Sequence, residues 1–174
     1  QHEGPSYFAY GNEHVVRALH TYELMTGNSL WSDKIRNMGK FKTHLLLPGL
    51  TEMAAYGDYS GGSYYFNHFM FKIASQYRDG KLQKLLLDHF DLIPDAFIYH
   101  AWNMLWFDDT LAPEDYSDIP TWAYFPDLEF ADLRTGWDTD DLSVHLKSGP
   151  PGGHTLNAWR DRIAPNATYV NIAH

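Results

Sequence analysis

The spacing of the apolar residues changes once along this chain, and that change limits what it can fold into. From Pro5 to about Thr26, Phe8, Val15, Val16, Leu19, Tyr22 and Met25 recur at helical spacing with Asn12, Glu13 and Arg17 between them. Pro5 suits a first helical turn and Gly27 a helix end. A shorter helix is expected over Lys40 to Leu47, before Pro48-Gly49. Further helical runs are expected after the aromatic segment Tyr64 to Phe71, over Ile73 to Arg78, Lys81 to Phe90 and Asp95 to Trp106. Beyond Pro113 the period shortens to two. Trp122 to Phe125, Leu128 to Leu133, Leu142 to Leu146 and Thr168 to Ile172 are short runs separated by Pro, Gly and Asp clusters, which predict β-strands. Helices followed by strands make an α+β chain of two layers or two domains. The acidic, proline-containing stretch at 108–120 is the expected boundary, giving a helical portion 1–112 and a strand portion 113–174.

The chain has 174 residues, 44% of them hydrophobic and 16% aromatic, which is ample for a packed core. Gln1 and the strand-like run ending at His174 both read as interior sequence, so a segment of a larger protein is expected. The longest apolar runs, Leu45-Leu-Leu47 and Leu85-Leu-Leu87, fall far short of the roughly 20 residues that cross a bilayer, and no membrane association is expected. Without cysteine there are no disulfides, thiolate metal sites or cysteine nucleophiles. Periplasmic, secreted and cytoplasmic locations all stay open. A net charge of −9 argues against nucleic-acid binding, which needs a basic face. The acid is concentrated: Asp108, Asp109, Glu114, Asp115, Asp118, Asp127, Glu129, Asp132, Asp138, Asp140 and Asp141 lie in one stretch against Arg134 alone. The remainder is close to balance, which leaves room for a locally basic cleft.

The segment richest in chemistry is Glu3-Gly-Pro-Ser-Tyr-Phe-Ala-Tyr-Gly11, a Gly-Pro turn opening a helix. Tyr7 falls in its first turn, where the partly positive helix end favours a phenolate. A phenol of pKa ~10 becomes a useful base only when such a field or a cation lowers that value. Taken alone, Tyr7 and Tyr10 read as ordinary aromatics of a helix interface.

The same segment resembles the catalytic-tyrosine segment of the heparinase II/III-like polysaccharide lyases, most closely the oligoalginate lyase branch. The resemblance continues through Tyr56-Gly-Asp58, Phe125-Pro-Asp-Leu128, Leu133-Arg-Thr-Gly-Trp-Asp138 and Leu146-Lys-Ser-Gly-Pro-Pro-Gly-Gly-His154, in the family's order. It implies the last helices of an incomplete α/α toroid, followed by the first strands of an antiparallel β-sandwich, with the active site between them. It also implies β-elimination on a uronate polymer. The carboxylate is neutralised, a base removes the proton on the adjacent ring carbon, and an acid protonates the departing glycosidic oxygen.

The resemblance assigns the proton-moving role to Tyr7 and leaves Tyr10, about one turn on, to line the cleft. A histidine of the early sandwich is the family's second catalytic group. His154 in a Gly-Gly-His turn and His174 after a strand both qualify; His174 is preferred, with His154 on the substrate-binding side. Arg160 suits a uronate carboxylate, or else pairs with Asp161. The family's carboxylate-neutralising helix lies upstream of the tyrosine segment and its sandwich metal ligands mostly downstream of His174. No metal residue is therefore assigned and no cofactor is required for the chemistry. The resemblance leaves room for a structural divalent metal such as zinc, held mostly by residues beyond His174 with His174 itself as a candidate ligand, and a homodimer is compatible with it.

Alginate oligosaccharides are the expected substrate, because heparin or heparan sulfate would call for clustered Arg and Lys, whereas the 13 basic residues here are scattered. A heparin-type lyase of the same fold is the alternative. A non-catalytic carbohydrate-binding module would instead use Trp102, Trp106, Trp122 and Tyr64 as stacking platforms. A glycoside hydrolase would need a carboxylate pair from Asp108, Asp109, Glu114 and Asp115, which read better as a solvated charge run.

Overall fold

A computed structural model of the chain describes residues 4–57, 68–94, 101–150 and 153–155, with 158 and 162. The chain is α+β, with helices first and a small antiparallel sheet after them. Among the described residues no helix is long and apolar enough to cross a membrane.

The first helix, α1, spans Pro5–Thr26, with proline at its start and Gly27 in the left-handed region at its end, where the Gly27 N–H closes on the Glu23 carbonyl at 2.9 Å. Phe8, Ala9 and Val16 bury one face, while Val15, Tyr22 and Met25 stay exposed. The apolar stripe read from the sequence is thus buried only along the first half of the helix. The second helix, α2 (Asp33–Thr43), starts seven residues earlier than expected, after an extended Ser32. Beyond it Leu47 N–H donates to Glu52 O at 2.9 Å and Ala54 N–H to Leu45 O at 2.7 Å, folding the Pro48-Gly49 turn back.

Two helices then pack together, α3 (Phe69–Tyr77) and α4 (Gly80–Leu92), with Asp79 capping α4 through Leu82 N–H at 3.0 Å. Of the helix expected over Asp95 to Trp106, α5 (Ala101–Trp106) is described. The acidic stretch that follows is pinned to α4: Glu114 N–H donates to Gly80 O at 3.0 Å, and the Gln83 amide donates to Leu111 O and Asp108 O. A Cβ on Gly80 would come within 2.5 Å of the Ala112 carbonyl, so only glycine permits this approach.

Three strands, β1 (Trp122–Phe125), β2 (Phe130–Arg134) and β3 (Ser143–Lys147), form an antiparallel sheet in chain order, with Phe125 opposite Phe130 and Trp122, Leu133 and Val144 in line. The period of two divides its faces. Ala123, Phe130, Asp132 and Arg134 are buried against the helices. Trp122, Tyr124, Leu133, Val144 and Leu146 form an exposed apolar face on the other side. Phe41 of α2 joins the layers, its ring centroid 5.0 Å from Phe8, 4.9 Å from Phe125 and 5.3 Å from Phe130 in edge contacts. Helices and sheet therefore share one hydrophobic core. The strand expected over Thr168 to Ile172 and the aromatic segment from Tyr64 to Asn67 lie outside the described residues.

Candidate functional site

Tyr7 lies in the first turn of α1, its side chain 44% exposed, directly after the Gly4-Pro5 turn. Gly4 has φ 86°, and no side-chain hydrogen bond caps the helix. Tyr10 is more exposed and meets the His14 ring edge-on at 4.8 Å. At 100° per residue, Tyr7, Tyr10 and His14 share one outward stripe of α1.

The neighbouring stripe carries a polar cluster. Glu13 pairs with Arg17 one turn on, and His68, at the start of α3, lies 3.2 Å from Glu13 Oε1 and 3.3 Å from Arg17 Nη2. The Arg17 guanidinium stands 4.7 Å over the Trp102 ring, and the Trp106 indole N–H donates to His20 at 3.0 Å. Burial pushes the His20 pKa down, with Lys72 adding to the effect and Glu23 opposing it. Trp106 is buried and Trp102 packs on it, so of the proposed sugar-stacking aromatics only Trp122 presents an open face; Tyr64 lies outside the described residues.

His154 sits on a turn that is anchored to the β1–β2 connection. Its N–H donates to Asp127 O at 2.8 Å and its Nε2 lies 2.6 Å from Glu129 Oε1, while Thr155 donates to Asp127 Oδ1 through both N–H and hydroxyl. Gly153 adopts φ 85°, and a Cβ there would meet Asp127 Oδ2 at 2.6 Å. The Phe125-Pro-Asp-Leu and Gly-Gly-His motifs are thus in contact. The bond from His154 holds the Glu129 carboxyl below its ordinary range, with Ser148 assisting. No hydrogen bond or ion pair among the described residues links Tyr7 or Tyr10 to His154. His174 and Arg160 lie outside the described residues.

A second constellation was not anticipated. His44, Asp132, Arg134 and His145 form a buried network where the end of α2 meets the sheet. The His44 Nδ1–H donates to Asp132 Oδ2 at 2.6 Å, and Arg134 Nε donates to the same oxygen at 3.0 Å. Arg134 Nη2 donates to Leu46 O at 2.8 Å, and His145 Nε2 donates to His44 O at 3.0 Å while lying 3.2 Å from Asp132 Oδ1. The guanidinium stacks 3.8 Å from the centre of the Trp137 ring. Arg134 therefore binds carbonyls just past the negative end of α2. His44 Nε2 and Arg134 Nη1 have no partner among the described residues. The sequence signal was the alternation of β2: it turns Phe130, Asp132 and Arg134 to one side, and charge on a core-facing side demands a buried partner.

The acidic stretch is engaged locally. Asp108 pairs with Arg78 at 2.6 Å, Asp118 with Lys81 at 2.6 Å, and Asp115 accepts from the Ser117 N–H and hydroxyl. A groove of about 570 Å³ runs between α2 and the start of α4 past Arg36, Lys40, His44 and Lys81, and none of Tyr7, Tyr10 and His154 lines it. Among the described residues no group of three His, Asp or Glu side chains is placed to hold a metal ion. Compared with models of known families, with curated proteins and with solved structures, the chain has no match.

Proposed function

We propose that the chain belongs to a polysaccharide lyase that cleaves a uronate polymer, alginate oligosaccharide above all, by β-elimination, with Tyr7 moving the proton. The observation that carries the reading is the half-exposed Tyr7 ring in the first turn of a 22-residue helix opened by Gly4-Pro5. There the hydroxyl can meet a bound sugar from the open side of the ring and serve as an acid–base group. As acid, the Tyr7 hydroxyl donates its proton to the departing glycosidic oxygen; in a syn elimination the phenolate first removes the proton beside the carboxylate. Tyr10, on the same stripe, lines the cleft. His174 is the second catalytic group, and His154 and Arg160 contact the substrate.

The exposed apolar face of Trp122, Tyr124, Leu133, Val144 and Leu146 supports a sandwich, since a second sheet would cover it. The helices before it are the proposed toroid portion. The test is to incubate the full-length protein with alginate oligomers and, separately, with heparan sulfate, following the ultraviolet absorbance of the unsaturated uronate. Product from alginate is expected. Product from the sulfated polymer alone would reassign the substrate and keep the chemistry, and no unsaturated product from either would refute the lyase reading.

A further inference from the structure

Among the described residues one lysine side chain, that of Lys42, is wholly excluded from solvent. Lys42 follows Phe41 on α2, and Phe41 packs edge-on against Phe8 of α1 at 5.0 Å. The Lys42 Nζ reaches the Pro5 carbonyl at 3.4 Å, and no carboxylate among the described residues pairs with it. Burial alone pushes its pKa well below the ordinary lysine value.

An amine so placed is a poor stabilising device. Leaving an ammonium unpaired in a dry interface opposes folding, and an apolar chain of equal length would fill the same space without that cost. What the amine offers instead is a directional donor to a single carbonyl. That carbonyl belongs to the first residue of α1, two positions before Tyr7, in a turn that begins at Gly4 with φ 86° and has no side-chain cap. The Phe8 N–H to Gly4 O bond at 3.2 Å also holds this turn.

We propose that Lys42 is a positioning residue for the tyrosine turn: its buried amine fixes the Pro5 carbonyl and thereby the direction in which Tyr7 faces the cleft. The catalytic part of this inference rests on the lyase reading, whereas the structural part does not. Lys42 touches neither substrate nor reacting atoms and acts through the turn.

The opposing demands of stability and geometry supply the test. In the full-length protein Lys42→Met keeps the length and removes the donor, while Lys42→Gln keeps an N–H donor. The expected result for Lys42→Met is a Tm equal to or above that of the parent, kcat lower by about 10- to 100-fold with KM little changed, and faster amide hydrogen exchange confined to the first two turns of α1. Lys42→Gln should recover part of both the protection and the kcat. A Lys42→Met protein with parental kcat and parental exchange in α1 would overturn the proposal, as would a loss of activity that merely follows a fall in Tm. Tyr7→Phe, assayed in parallel, reports on the lyase reading. Should Tyr7→Phe prove fully active, the exchange comparison still decides whether Lys42 holds the turn.

Discussion

His44 Nδ1 lies 2.6 Å from Asp132 Oδ2, and both side chains are shut away from solvent, which ties the end of α2 to the middle strand across 88 residues of sequence. Asp132 also receives Arg134 and faces His145, so one carboxylate neutralises a guanidinium and organises two imidazoles. Removing it should be far more damaging than loss of one hydrogen bond. Asp132→Ala leaves Arg134 buried without its counter-charge, and the expected loss of unfolding free energy is about 3–5 kcal/mol. The measurement is a urea titration, with the midpoint falling at constant slope. A loss under about 1 kcal/mol would mean that water reaches the network freely.

The same network predicts how stability depends on pH. Burial pushes His145 below its ordinary 6.5; Asp132 and the bond to the His44 carbonyl pull it back up, while the nearby Arg134 charge adds to the depression. For Asp132, burial pushes the carboxyl up, but hydrogen bonds from His44 and Arg134 outweigh it and hold the group below its ordinary 3.8. A histidine whose folded pKa lies below its unfolded value binds fewer protons when folded, so its cost to folding begins as pH falls through 6.5 and grows toward the folded value. Asp132 contributes stability above 3.8 that is lost as pH falls through its depressed folded value. Stability should therefore decline from pH 7 to 5 and again in strong acid. His145→Gln should lessen the first decline, to which the depressed His20 also contributes, and leave the second. Equal slopes for both proteins between pH 7 and 5 would remove His145 from the account.

Gly153 offers a local test. With φ 85° and Asp127 in the way of any Cβ, Gly153→Ala should detach the turn carrying His154 and Thr155 from the β1–β2 connection. A cost of more than about 1 kcal/mol is expected where alanine must hold a positive φ. Amide exchange should rise at His154 and Thr155 while α3 and α4 keep their protection. Unchanged exchange at those two amides would show that the turn does not need glycine.

The residues that made this fold legible act locally. Gly4-Pro5 and Gly27 bracket α1, and the period of two marks β1, β2 and β3 within a residue or two, because caps and alternation are short-range signals. The start of α2 was hidden by its polar face, where Asp33, Lys34, Arg36, Asn37 and Lys40 surround only Ile35 and Met38. Its N-cap, Ser32, is the local signal for that start. Tyr7 stood out through its turn and Lys42 did not, since nothing local distinguishes a buried lysine from an exposed one in Lys40-Phe-Lys42. The partners of Asp132 were likewise illegible: His44 and His145 are brought to it by tertiary packing, and the sequence signalled only that some partner was required.

Tyr7→Phe tests the central claim most directly, because it removes one oxygen and keeps the ring and the helix. In the full-length protein acting on alginate oligomers, the initial rate of unsaturated-uronate absorbance should fall by about 10²–10⁴-fold, the usual worth of a general acid–base group, with the thermal midpoint nearly unmoved. A Tyr7→Phe protein that turns over alginate at close to the parental rate would contradict the account.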